Sequence, residues 1–230
     1  MEKFEDTIEK VGTLADDLRR RMYLFIRDQG RPVSRDEAAE TVGISRKLAA
    51  FHLDKLTEKG LLKADYARLS GRSGPGAGHP SKVYEPTEVD VAVSIPSRSY
   101  DFAGRVLVSA LERSPAESRD AVRTAAREQG FSLGDQVRRE RRLRPASPRK
   151  TLALTRELLY ERGYEPYLDE DGGLRLRNCP FHVLAQQSVE IVCGLNQAFI
   201  SGLLAGLGSD ELDAALDPQP GQCCIRIQST

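Results

Sequence analysis

Residues 32–62 read PVSRDEAAETVGISRKLAAFHLDKLTEKGLL, and this stretch decides how the N-terminal part of the chain folds. Ser34 with Glu37 three positions on is a capping box. The serine oxygen and the glutamate carboxylate each satisfy an amide that the first helical turn leaves without a partner, so a helix is predicted to start near Arg35. Gly43 ends it, because glycine accepts the left-handed conformation that a sharp turn needs. Ser45 caps a second helix reaching to about Lys59, and Gly60 closes that one in the same way. A link this short between two helices is the connection of a helix-turn-helix.

Helical periodicity shows which face of the second helix is free. Ala49, Leu53 and Leu56, with Ile44 and His52 nearby, form an inward stripe, which leaves Arg46, Lys47, Ala50, Phe51 and Asp54 facing out. An exposed helix start carrying Ser45, Arg46 and Lys47 suits a DNA major groove, where arginine pairs bidentately with guanine and serine or lysine holds phosphate. Ser34, at the cap of the preceding helix, joins this candidate set. Next come two short segments of strand character, residues 61–66 and 82–85, joined by a Gly/Ser/Pro stretch that carries Arg68, Arg72 and His79 and ends at Lys82. A hairpin with such a tip is a wing, and those four side chains are candidates for the flanking phosphates. A nucleotide-binding P-loop is not expected here, since no Gly-Lys-Ser/Thr end follows the glycines and no helix follows the loop. A helical hairpin with nothing more than a solvated charged face is the plain alternative.

GISRKLAAFHLDKLTEKGLL followed by GHPSKVYEPT resembles the winged helix-turn-helix of the bacterial arsenic-repressor and multiple-antibiotic-resistance regulator class, over roughly residues 15–87. The resemblance implies binding to double-stranded DNA.

Charge distribution agrees with that expectation more than total charge does. Lys plus Arg equals Asp plus Glu at 34 each, yet residues 45–82 hold eight basic against three acidic side chains and residues 151–230 hold five against eleven. Near the N-terminus Ile8, Val11, Ala15, Leu18, Met22 and Phe25 recur in steps of three and four, a narrow seam for helix-on-helix contact. It either packs on the reader or contributes to a dimer. A homodimer is expected on separate grounds, because one reader spans few base pairs and a two-fold operator needs two.

Beyond Pro96, helices are predicted over residues 101–111, 116–142 and 152–162. Asp171-Gly172-Gly173 between apolar runs marks a hairpin, residues 189–207 form a buried helix, and CCIRIQ is a closing strand. RRERRLRPASPRK, residues 138–150, is a solvated helix end or a supplementary phosphate contact. The fold class is α+β, mainly α: an N-terminal winged helix-turn-helix over residues 1–95, a helical connector and dimerisation region over 96–150, and a smaller α+β cysteine-containing domain over 151–230. MEKFED lacks an export signal, and the apolar run 191–207 is interrupted by Asn196, Gln197 and Ser201, so the expectation is a cytoplasmic protein with no membrane partner and reduced cysteines.

All four cysteines fall late in the chain: Cys179, Cys193, Cys223 and Cys224, with His182 three residues after Cys179. Gathered thiols in a reducing compartment point to metal more than to disulfides, although a reduced cysteine is also a common buried small hydrophobe. If Cys223 and Cys224 lie in a strand their side chains alternate faces, so only one of them is expected to be a ligand. LRNCPFHVLA, the segment around VCGLN, and PGQCC resemble the C-terminal module of the Suf-operon repressors, regulators of iron-sulfur biogenesis that hold such a cluster. The resemblance implies that Cys179, Cys193 and one of Cys223 or Cys224 are cluster ligands. The chain lacks the further cysteine that some members carry between Cys193 and Cys223; His182 could complete the set, and a Cys3His set equally makes a closed zinc site. The function expected is therefore a DNA-binding transcriptional regulator controlled by an iron-sulfur cluster or metal, the alternative being a winged-helix regulator that senses a small organic ligand through an apolar pocket. An enzyme with Cys179 as nucleophile and His182 as base is not expected, since nothing marks a hydrogen-bonded pair or an oxyanion site.

Overall fold

A computed structural model describes residues 2–67, 81–89, 91–93, 100–142 and 147–229, and the chain divides into two compact units, Met1–Arg98 and Ser99–Thr230. Both are of α+β type, with helices dominant and one small antiparallel sheet in each.

The first unit contains α1 (Glu2–Thr13), α2 (Asp17–Gln29), β1 (Val33–Ser34), α3 (Arg35–Val42), α4 (Arg46–Glu58), β2 (Leu62–Ala67) and β3 (Ser81–Pro86). Local chemistry explains the helix ends. Ser34 Oγ accepts the Glu37 amide at 3.1 Å, Ser45 Oγ accepts the Leu48 amide at 3.3 Å, and Gly43 sits at φ 74°. The Glu37 carboxyl lies below the usual carboxylate range because the Arg31 guanidinium bonds to it, with the Ser34 amide helping; the reciprocal half of the capping box is therefore shared with Arg31. The seam read along the N-terminal helix is cut in two. Asp16 accepts the Arg19 amide at 2.9 Å and starts α2 afresh, so the phase changes: Met22 and Ile26 are buried while Ile8 and Val11 are exposed.

The sheet order is β1-β3-β2, with Val33 opposite Tyr84 and the β2/β3 hairpin in register from Leu62↔Pro86 to Ala67↔Ser81. Its Val33, Leu62 and Tyr84 share one core with Met22 and Ile26 of α2, Ala38 of α3, and Leu53 and Leu56 of α4. β1 is too short to leave a period-two pattern, which is why the sequence reading found only its serine cap.

The second unit contains α5 (Tyr100–Glu112), α6 (Ala116–Glu140), α7 (Pro148–Tyr160), β4 (Pro166–Leu168), β5 (Leu174–Leu176), α8 (His182–Ala185), α9 (Val189–Gly206), β6 (Leu212–Leu216) and β7 (Ile225–Ser229), with sheet order β4-β5-β7-β6. Helices α5 and α6, from the stretch read as a connector, thus belong with the cysteine-bearing segment and make this the larger unit. Their other neighbour in sequence, the basic run at 138–150, lies partly outside the described residues.

Helices α6 and α9 run side by side in the same direction, matched from Arg119 opposite Glu190 to Gly134 opposite Leu203. Glycines let the two backbones touch. A Cβ on Gly202 would lie 2.0 Å from the Arg127 carbonyl oxygen, and one on Gly130 2.0 Å from that of Phe199. α9 is long and apolar enough to cross a membrane by length and composition, yet Ile200, Leu203 and Leu204 are buried in the core with Leu159, Leu174, Ile225 and Ile227.

The Asp-Gly-Gly turn closes β4 and β5, with Gly172 at φ 79°. Asp169 anchors it: its carboxylate accepts the Gly173 amide at 2.8 Å and Arg226 Nε at 2.8 Å, while Arg175 Nε stands at 3.4 Å. Burial works to raise the Asp169 carboxyl, but the Arg226 and Gly173 bonds outweigh it and the group lies below the usual range. Its contribution is therefore present above the unfolded carboxylate pKa of about 4 and is lost as pH falls through the lower folded value. Asp169→Ala is expected to cost about 1–3 kcal/mol at neutral pH, measured by urea unfolding, with the gap from the parent closing in acid.

Candidate functional site

Two constellations carry chemistry, one in each unit. In the first, α4 turns its buried stripe of Ala49, His52, Leu53 and Leu56 inward, and Ser45, Arg46, Lys47 and Phe51 remain exposed. Ala50 is half-buried at the edge of that face. Two features of this surface could not be read from spacing. Arg46 Nε bonds across the helix-helix turn to Asp36 at 2.6 Å, and Lys82 Nζ reaches Asp54 on α4 at 3.0 Å. Both cations stay solvent-accessible, so these are surface pairs worth little that a phosphate or a base edge can displace. Lys82 also lies over the Tyr84 ring at 5.3 Å, and its ammonium is held above the ordinary lysine range chiefly by Asp54.

Ser34 leaves the candidate contact set. It is buried at 9 % exposure in β1, and its hydroxyl is engaged by the Glu37 amide. Arg68, Arg72 and His79 lie outside the described residues. His52 is 4 % exposed, its two ring nitrogens have no hydrogen-bond partner among the described residues, and Nδ1 stands 3.8 Å from the Asp16 carboxylate that caps α2. That places it in the core between helices, as its position in the inward stripe implied.

The second constellation is the set of four thiols. Cys179 follows β5, Cys193 lies in the second turn of α9, and Cys223 and Cys224 immediately precede β7. Because β7 begins only at Ile225, the strand alternation expected for Cys223 and Cys224 does not apply, and both turn toward thiols. Cys193 Sγ donates to Cys224 Sγ at 3.3 Å, and Cys223, whose amide bonds to the Leu176 carbonyl oxygen at 3.0 Å, lies near enough to Cys179 to bias its ionisation. The four are close enough to influence one another's ionisation. The Cys223 S–H lowers the Cys179 thiol to about 7, with burial opposing and the Phe181 amide assisting; burial and then the Cys224 bond push Cys193 up to about 12. Cys223, as the donor to Cys179, is driven strongly upward.

His182 is not part of this group. It opens α8 on the exposed side, its ring bonds to Gln186 Nε2 at 2.9 Å, and only its backbone amide reaches Cys179, at the carbonyl oxygen. Among the described residues, no set of three or more His, Cys, Asp or Glu side chains stands close enough to hold one metal ion. The thiols therefore satisfy a soft metal or a cluster in donor type and number, while their arrangement is two pairs.

Sequence reasoning read Asn196 only as an interruption of the apolar run 191–207 and passed over Tyr164. Asn196 is 1 % exposed; it accepts the Tyr164 hydroxyl at 2.6 Å and donates to Cys223 Sγ at 3.5 Å. Burial raises the Tyr164 phenol, so it stays protonated and keeps donating. The signal was a lone asparagine inside the apolar run IVCGLNQAFI, which a buried helix tolerates only with its amide satisfied. Beside it lies an apolar cavity of about 480 Å³ between α6 and α9, lined among others by Val122, Ala126, Tyr164, Phe181 and Phe199. Phe181 connects the two features: its ring lines the cavity and its amide helps hold the Cys179 thiol.

No protein-family model matches this chain, and no curated protein matches it in sequence.

Proposed function

We propose that the protein is a transcriptional regulator whose first unit is a winged helix-turn-helix that binds double-stranded DNA as a homodimer, with α4 entering the major groove and β2 and β3 forming the wing. The observation that carries this reading is the Ser45-capped start of α4, held on the surface by the buried stripe of Ala49, His52, Leu53 and Leu56 and presenting Arg46 and Lys47 just after a short turn from α3. Ser45 and Lys47 hold phosphate; Arg46 exchanges Asp36 for a guanine edge. Arg68, Arg72, His79 and Lys82 supply the wing's backbone contacts in this reading.

The second unit is the input. Cys179, Cys193, Cys223 and Cys224 would hold an iron-sulfur cluster, or zinc in its place, and a cluster would supply a centre sensitive to oxidation and to iron supply. What supports this is the 3.3 Å contact of Cys193 with Cys224 and the Asn196 amide set against Cys223; the thiols stand as two pairs, and loading would have to draw them together around the cofactor. His182 is not included. Cofactor-loaded and cofactor-free protein are expected to differ about 5–150-fold in operator affinity, the usual size of allosteric coupling. Fluorescence anisotropy on one operator with both forms, loading verified by metal and sulfide analysis, checks this; equal affinities remove the thiols from the switch.

The cavity beside Tyr164 favours a second reading, in which a small apolar molecule is the input and the thiols are structural. Operator affinity that changes with an apolar ligand and not with cofactor loading would select it.

A further inference from the structure

The four thiols are matched two by two, and this matching has a chemistry of its own. We propose that Cys193 with Cys224, and Cys179 with Cys223, are two dithiol sites that a hydroperoxide closes to disulfides in the cofactor-free protein. The inference uses the same residues as the proposed cofactor site but needs no cofactor, so either can fail alone.

Cys193 and Cys224 have their sulfurs 3.3 Å apart, and a disulfide requires a further approach of about 1 Å. For the second pair, the Cys223 amide donates to the Leu176 carbonyl oxygen at 3.0 Å, which sets Cys223 beside the segment that carries Cys179, and both side chains pack in the same core. Each pair also has the same asymmetry: Cys224 and Cys179 are half-buried and open to a small oxidant, whereas Cys193 and Cys223 are 5 % and 4 % exposed. One cysteine of each pair can therefore meet peroxide while its partner waits behind it. The Cys224 thiol attacks hydrogen peroxide, breaking the O–O bond to give Cys224 sulfenic acid and one water. The Cys193 thiol then attacks that sulfur, forming the S–S bond and releasing the hydroxyl as a second water. Cys179 and Cys223 follow the same two steps, so each pair consumes one peroxide. Because Cys223 and Cys224 are adjacent, the sequence permits either pairing; only the folded contacts distinguish them.

The test uses the full chain, reduced and stripped of metal with a chelator, then titrated with hydrogen peroxide and alkylated. Cleavage after glutamate separates residues 171–190, 191–211 and 212–230, which carry Cys179, Cys193 and the Cys223/Cys224 pair. The wild-type chain is expected to lose all four thiols at about two equivalents of peroxide. At lower peroxide, each singly linked species should contain the 212–230 peptide. Cys223→Ser should join 191–211 to 212–230, and Cys224→Ser should join 171–190 to 212–230. A direct link between 171–190 and 191–211, the crossed result in the two variants, or wild-type thiols that survive excess peroxide would overturn the assignment. If a serine variant fails to fold, tandem fragmentation of the wild-type linked peptides between Cys223 and Cys224 reads the pairing instead, and finding 191–211 attached at Cys223 or 171–190 attached at Cys224 would overturn it.

Discussion

Gly202→Leu is expected to destabilise the C-terminal unit by about 3 kcal/mol or more, beyond the usual cost of overpacking a core. The reason lies in what the new side chain meets. A Cβ at this position stands 2.0 Å from the Arg127 carbonyl oxygen and 2.8 Å from its carbonyl carbon, so the obstacle is backbone and no rotamer change relieves it. The contact is reciprocated along the crossing, where Gly206 faces the Phe131 carbonyl oxygen at 2.2 Å and Gly130 faces that of Phe199 at 2.0 Å. Separating α6 from α9 would disturb the helix that bears Cys193 and Asn196 and the cavity wall together. Gly12 is the contrasting site: it lies in α1 with nothing among the described residues within 4 Å of an added Cβ, and Gly12→Ala is expected to be neutral or to gain up to about 1 kcal/mol from helix propensity. Urea unfolding of both variants reads the difference; equal midpoints would mean that the helices are not held by glycine contact.

Arg46→Ala is expected to weaken binding to the preferred DNA sequence by about 1–3 kcal/mol and to relax discrimination at one base pair. Lys47→Ala should act on all sequences alike and reduce the salt slope by about one unit, because a phosphate contact releases counterions without reading a base. Neither residue belongs to the core of the first unit, so neither substitution should alter its unfolding. The Asp36 partner sharpens the assignment. Asp36→Ala leaves Arg46 without its 2.6 Å ion pair, and if the arginine must leave that carboxylate to reach DNA, the variant should bind at least as tightly as the parent.

The legible parts of this chain were those written in local chemistry. Ser34, Gly43 and Ser45 fixed the ends of α3 and α4, and the spacing of Ala49, Leu53 and Leu56 identified the inward face correctly. The spacing of the N-terminal seam misled because periodicity continues across a break: Asp16 restarts the helix through one hydrogen bond, which a three-and-four pattern does not register. The strands β1 and β6 and the short α8 are positioned by partners far along the chain, such as Tyr84 for Val33 and Ile227 for Ala214, and carry weak patterns of their own. The α6/α9 contact did have a sequence trace, Gly130 with Gly134 and Gly202 with Gly206, each pair one turn apart on a helix face. Its meaning emerges only when the two faces are placed together. The thiols show the same division. Their residue types indicated a shared site, but which sulfur meets which depends on β7 starting at Ile225 and on the tertiary placement of Cys179 and Cys193, so Cys223 and Cys224 both join and His182 does not.

The proposed role of the first unit is tested most directly by selecting bound duplexes from a random DNA library with the intact chain, then measuring the affinity of the enriched sequence against random DNA at several salt concentrations. The account predicts an enriched two-fold symmetric site with half-sites about 10 base pairs apart, bound about 10³-fold or more tighter than random DNA, with that preference reduced by Arg46→Ala. No enriched sequence, or an enriched sequence bound equally well by the Arg46→Ala chain, would contradict it.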